Sequence, residues 1–297
     1  MAELADPDLG KLLSRVAVAG RAPEQDFVLA AVQRLLEEAG RDWDRCTHRM
    51  RVLARSGIHG IAHGWYSRRP DDPYALMLYA LSCLTGGAAE PYIELADVES
   101  LCRRSARLLP AHPSPHVVLL AALRRLQRPA HEVFEVWKEA TARDPWHREA
   151  HRQMLRYLSP DECGSAARAL DFADKVRATM PPGVPSVGLH LAALTDSYHC
   201  LLSGQPSAPG IGQYWTAPLA QQAMDDAAAQ WLKPGFLAHA AAPADLNLLA
   251  YVLVQAERFG EAAATFRALG PTVTEWPWCV RGDAVRQFTY WQDRLLV

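Results

Sequence analysis

The residues best placed to do chemistry come in pairs one helical turn apart. His59 and His63 lie in SGIHGIAHGWYSRRPDDP, and His147 and His151 in HREAH. Two imidazoles at i and i+4 share a helix face, which is how a helix offers two ligands to one metal ion. HREAH departs from H-E-x-x-H, in which a glutamate after the first histidine reaches the metal-bound water. Arg148 holds that position, and Glu149 points elsewhere on the helix. His147 is therefore expected to cap a helix start after DPW, and His151 to pack as a first-helix residue. On a helical wheel Gly57, Gly60 and Gly64 fall opposite His59 and His63. The glycines are expected to form a close-packing seam, and these histidines to face outward. No metal and no cofactor are assigned; His59, His63, His147 and His151 are the alternative ligands.

Other patterns carry less. The adjacent Asp225 and Asp226 in MDDAAAQW are similar to the aspartate-rich magnesium motif of terpene cyclases. The further carboxylates of that motif are missing, so a solvated helix face is expected. Trp276, Trp278, Phe288, Tyr290 and Trp291 crowd the C-terminal stretch, as a core or terminal cap would. Cys279 beside them has no neighbouring histidine to act as its base. The phosphate-binding G-x-x-x-x-G-K-[ST], the dinucleotide G-x-G-x-x-G and the G-x-S-x-G elbow are all absent. No catalytic residue is assigned.

The 297-residue chain is 49% hydrophobic and 22% charged, the balance of a globular protein. A formal net charge of -2, with no basic tract, argues against nucleic acid and membrane surfaces as partners. The opening MAELADPDLGKLLSRVAVAG lacks the charged-then-apolar pattern of a leader. Six scattered cysteines without a C-x-x-C fit free thiols in a reducing compartment, and a cytoplasmic location is expected.

The elements that must position these residues are helices. FVLAAVQRLLEEAG and VFEVWKEATA place apolar residues at three and four positions, and no alternating run argues a strand. Asp72-Pro73, Asp144-Pro145 and Ser159-Pro160 are expected helix starts. SGQPSAPGIGQYW breaks the pattern. The expected division is an N-terminal segment at 1–23, a helical array at 24–203, a linker at 204–214 and a helical part at 215–297.

SPHVVLLAALRRLQRPAHEVFEVWKEATARDP resembles a tetratricopeptide repeat (TPR), a helix-turn-helix unit of about 34 residues. Val117, Leu120 and Ala121 match its first helix, and Val133, Trp137, Ala140 and Pro145 its second. Arg124 stands where the repeat usually has a large aromatic. A second copy is ADLNLLAYVLVQAERFGEAAATFRALGP. It matches through Leu246, Leu249, Ala250 and Leu253, then Phe259, Ala262, Phe266 and Leu269. The resemblance implies an all-α fold of antiparallel helical hairpins stacked as a TPR-like α-solenoid, a right-handed superhelix.

Such repeats bind peptides or proteins on a concave surface lined by first helices. The register places Val118, Ala122 and Arg125 there, then Glu149, Arg152 and Arg156, then Asn247, Tyr251 and Gln255. Neighbouring arginines suit a carboxylate or acidic segment, because guanidinium matches it in a bidentate way. The leading expectation is a non-catalytic scaffold or adaptor for a protein or peptide. The other is an enzyme or small-ligand protein with an internal pocket lined by histidine and aromatic residues, holding a metal or haem. Oligomeric state is open.

Overall fold

Apolar residues spaced by three and four become helices throughout the computed structural model. It describes residues 6–17, 22–56, 58–85, 95–204 and 211–296, and among them there is no strand. The protein is all-α, as the periodicity predicts. Gly57, residues 1–5 and 18–21 of the N-terminal segment, and residues 205–210 of the expected linker lie outside the described residues. None of the described helices is long and apolar enough to cross a membrane.

Two compact units divide the chain, Asp6–Met154 and Leu155–Val297. The first holds α1 (Pro7–Val16), α2 (Ala22–Glu37), α3 (Trp43–Arg55), α4 (His59–Arg68), α5 (Pro73–Thr85), α6 (Leu95–Leu108), α7 (Ser114–Arg125), α8 (Ala130–Arg143) and the start of α9 (Arg148–Tyr157). The second holds the end of α9, then α10 (Ala166–Thr179), α11 (Leu189–Gly204), α12 (Pro218–Gln230), α13 (Ala242–Gln255), α14 (Phe259–Leu269), α15 (Glu275–Trp278) and α16 (Ala284–Leu295). Short 3-10 turns lie at Ile211–Thr216 and Cys279–Arg281.

In the first unit α4 to α8 each pack on the next, while α5 and α7 also pack on each other and on α3. This makes α5 and α7 inner helices. Their residues Ala75–Ser82 and Val117–Leu123 are continuously buried, so neither helix has a polar stripe. In the second unit α13 holds the same place. It packs on α11, α12, α14 and α15, and Asn247–Val254 are all buried.

Local capping agrees with part of the sequence. Asp72 opens α5, its Oδ1 accepting from the N–H of Tyr74 and Ala75 at 3.0 and 3.2 Å. Asp144-Pro145 and Ser159-Pro160 do not start helices but turns. The following helices are capped later: His147 Nδ1 accepts from Ala150 N–H at 3.3 Å, and Ser165 Oγ from Arg168 N–H at 3.2 Å. In each case a side chain with a free lone pair wins over the proline's preset φ. Asp6 caps α1 and also takes two hydrogen bonds from Arg49 of α3, at 2.7 and 3.2 Å. Burial raises the pKa of this carboxyl, but Arg49 and the Leu9 amide outweigh it and hold the pKa below the usual range.

Most residues that match the repeat form core, although Pro145 is exposed and Leu246 half-buried. Val117, Ala140 and Ala150 cluster with Trp137 packed against them. Leu249, Ala250, Leu253, Ala262, Phe266 and Leu269 are buried in the second unit. Phe259 is an exception: it is 40% exposed and stacks on Trp291 of α16. The C-terminal aromatics separate in the same way. Trp278 is buried against Phe266 and Phe288, while Tyr290 is exposed.

The glycines of α4 do not form the expected seam. Gly60 is exposed and Gly64 half-exposed, and a Cβ added to either meets nothing within 4 Å. The buried stripe is Ile58, Ala62 and Trp65. Gly60 and Gly64 fall outside it because an apolar stripe at helical spacing needs no gap beside it.

Candidate partner-binding face

Arg125 and Arg152 are at least partly exposed, at the end of α7 and on α9. A network through their sequence neighbours Arg124 and Gln153 ties three helices of the first unit. Arg51 of α3 donates to Glu149 Oε2. Gln153 Nε2 donates to Glu149 Oε1 at 2.5 Å, and Arg124 Nε donates to Gln153 Oε1 at 2.8 Å. Glu149 itself is buried, with only 5% of its surface exposed. The register puts it on a binding surface; the structure buries it, with both carboxylate oxygens bonded inside the unit. Its burial follows from Arg51, because a carboxylate enters a protein interior only with charge and hydrogen bonds to meet it.

The Arg51 guanidinium meets the Glu149 carboxylate and that of Arg124 meets the Gln153 amide; Arg125 follows Arg124 in sequence and Arg152 precedes Gln153. Arg124 occupies the slot where the repeat usually has a large aromatic, and that departure supplies the tie from α7 to α9. Arg51 and Gln153 were not picked out from the sequence. Arg51 lies 98 positions from Glu149, and no local pattern signals the pair.

The second unit places its predicted residues differently. Arg156 is half-exposed on α9. Asn247 is fully buried, and its amide is used at every position. Nδ2 donates to the carbonyls of Pro243 and Thr272 at 2.8 and 3.0 Å. Oδ1 accepts from Trp278 Nε1 at 3.0 Å and Thr274 N–H at 3.3 Å. Tyr251 is buried, its hydroxyl 3.0 Å from His199 Nε2. Burial raises the pKa of the Tyr251 phenol and lowers that of His199 to about 4, the latter with help from the Arg281 charge. Both are therefore neutral near pH 7. Gln255 is half-buried and accepts from Tyr198 Oη at 3.3 Å. These three residues hold α13 to its neighbours.

The histidine pairs also resolve. His63 is exposed, as expected, and His59 half-exposed; both rings also pack on Tyr79 of α5, with centroids at 5.5 and 5.2 Å, and His59 Nδ1 lies 3.1 Å from Ser82 Oγ. His147 is buried. With Nδ1 accepting from Ala150 N–H, Nε2 is the ring atom left to donate to Thr47 Oγ1, at 3.1 Å. His151 is packed between Trp137 and Trp146, with Nε2 2.9 Å from the carbonyl of Pro145. Among the described residues no group of three or more His, Cys, Asp or Glu side chains gathers as a metal site. Asp225 pairs with Arg258 at 2.7 Å, and Asp226 lies 3.7 Å from Arg177. All six cysteines are unpaired.

No protein-family model matches the chain. No curated protein matches it either.

Proposed function

We propose that the chain is a TPR-like helical-hairpin protein acting as a non-catalytic, cytoplasmic scaffold or adaptor for a protein or peptide with an acidic segment. The hairpin reading is supported within each unit by inner helices with continuously buried residues and by the burial of the small residues Ala121, Ala140, Ala250 and Ala262. One observation carries the binding reading: Arg125 is exposed at the end of α7 and Arg152 part-exposed on α9, two helices of the first unit that the Arg124–Gln153 hydrogen bond ties together. A carboxylate of the partner meets Arg125 and Arg152 there, in the bidentate geometry that guanidinium favours.

The test is fluorescence anisotropy with a labelled glutamate-rich peptide and a lysine-rich peptide of equal length. The acidic peptide should bind and the basic one should not, and binding should weaken as salt is added. Arg125→Glu with Arg152→Glu should abolish it while leaving the thermal melt nearly unchanged. No binding of the acidic peptide, or binding unmoved by the charge reversal, would overturn the proposal.

A further inference from the structure

A cleft of about 170 Å³ opens in the second unit where the end of α10, the start of α11 and the last two turns of α12 meet. Its inside is apolar. Met180, Val187, Leu191, Trp231 and Phe236 wall it. Ala223 and Ala227, one turn apart on α12, leave the space that larger side chains would fill. The Phe236 wall is held by the turn before α11. Gly183 has φ +75° there, and a Cβ on it would lie 3.0 Å from the Phe236 carbonyl oxygen. A cavity of roughly 150 Å³ with such walls accepts a benzene ring. The cleft therefore has room for one six-membered ring, with Trp231 and Phe236 to pack on it.

Its mouth is polar and incompletely matched. Arg177 Nη1 and Asp226 Oδ2 face each other there at 3.7 Å, and Arg177 Nε stands 3.8 Å from Asp174 Oδ1. These are distances at which charges attract but hydrogen bonds are not made. At the inner edge His190 Nε2 is 3.0 Å from Asp174 Oδ1, yet the approach is out of line and neither atom has a hydrogen bond. An opposite-charge pair at the entrance of a one-ring apolar cleft calls for a ligand with a ring at one end and both charges at the other.

We propose that this cleft binds a free aromatic α-amino acid of the phenylalanine type. The ring enters between Trp231 and Phe236, the carboxylate pairs with Arg177, and the ammonium group pairs with Asp226. Both ligand charges sit on one carbon, next to the methylene that carries the ring, so one molecule reaches all three places. The site is built from residues of the second unit alone, and the proposal does not depend on the arginine face of the first.

Calorimetric titration of the full chain tests the assignment. L-phenylalanine should bind. Phenethylamine, which lacks the carboxylate, and 3-phenylpropionate, which lacks the ammonium, should each bind about tenfold more weakly or worse. Ala227→Leu should fill the cleft and abolish binding. Asp226→Asn, at an exposed position, should weaken phenylalanine by about tenfold while leaving the melt unchanged, and it gives an answer even if Ala227→Leu fails to fold. Failure of phenylalanine to bind at millimolar concentration would overturn the proposal. So would 3-phenylpropionate binding as tightly as phenylalanine, or affinity unmoved by Asp226→Asn.

Discussion

Asn247 Oδ1 accepts the indole N–H of Trp278 at 3.0 Å inside the second unit. The same amide also satisfies Thr274 N–H and two backbone carbonyls, so one side chain ties α13 to the segment that leads into α15. Replacing it with leucine takes this partner from the Trp278 and Thr274 N–H donors and from the Thr272 carbonyl, each worth about 1–3 kcal/mol if water cannot reach it. Asn247→Leu should therefore lower unfolding stability by about 2 kcal/mol or more in urea denaturation. An unchanged midpoint would show that the amide does not hold this joint.

Glu149 gives a prediction in two directions. Glu149→Gln keeps the shape but removes the charge that Arg51 meets. The Arg51 side chain is 28% exposed, so water offsets part of the loss, and the cost should be about 1–2 kcal/mol. The same change leaves the face with more positive charge. An acidic peptide should therefore bind more tightly to the less stable variant, which anisotropy and a thermal melt on the same sample would read.

On α4 the two kinds of residue should respond in opposite senses. Gly60→Ala places a methyl in open space on a helix, and should stabilise by about 0.5–1 kcal/mol. His59→Ala with His63→Ala removes two rings from Tyr79 and should cost about 1–2 kcal/mol. Equal melts for all three proteins would contradict both statements.

Acid should weaken the first unit through its buried histidines. Burial lowers His112 and His151 from 6.5 to about 4 in the folded protein. The unfolded chain then takes up protons first as pH falls. Their contribution is complete above pH 6.5, declines between pH 6.5 and 4, and is gone below it, at up to about 3 kcal/mol for each group. Urea midpoints measured across that range should fall with pH. His151→Asn, which does not titrate there, should flatten the slope; an unchanged slope would assign the acid sensitivity elsewhere.

Helices were legible because their signal is local. Apolar residues at three and four positions mark α7 and α8 without knowledge of any partner, and a cap such as Asp72 acts within three residues of itself. The small and large residues of the two repeat-like segments showed where helices approach. Positions on a helix buried all round were not legible. Leu248 to Val254 offers no polar side to set a rotation, so the register placed Asn247 and Tyr251 on a surface when both are inside.

The sequence by itself determined an all-helical chain, the core-forming repeat residues Val117, Ala140, Ala250 and Phe266, and the capping role of His147. Only the tertiary structure decided which polar residues are consumed internally. Glu149 is settled by Arg51, Asn247 by Trp278 31 positions on, and the cleft by walls from α10, α11 and α12. The reason is physical: helix formation depends on neighbours one turn away, whereas the burial of a charge or an amide depends on whichever distant group arrives to satisfy it.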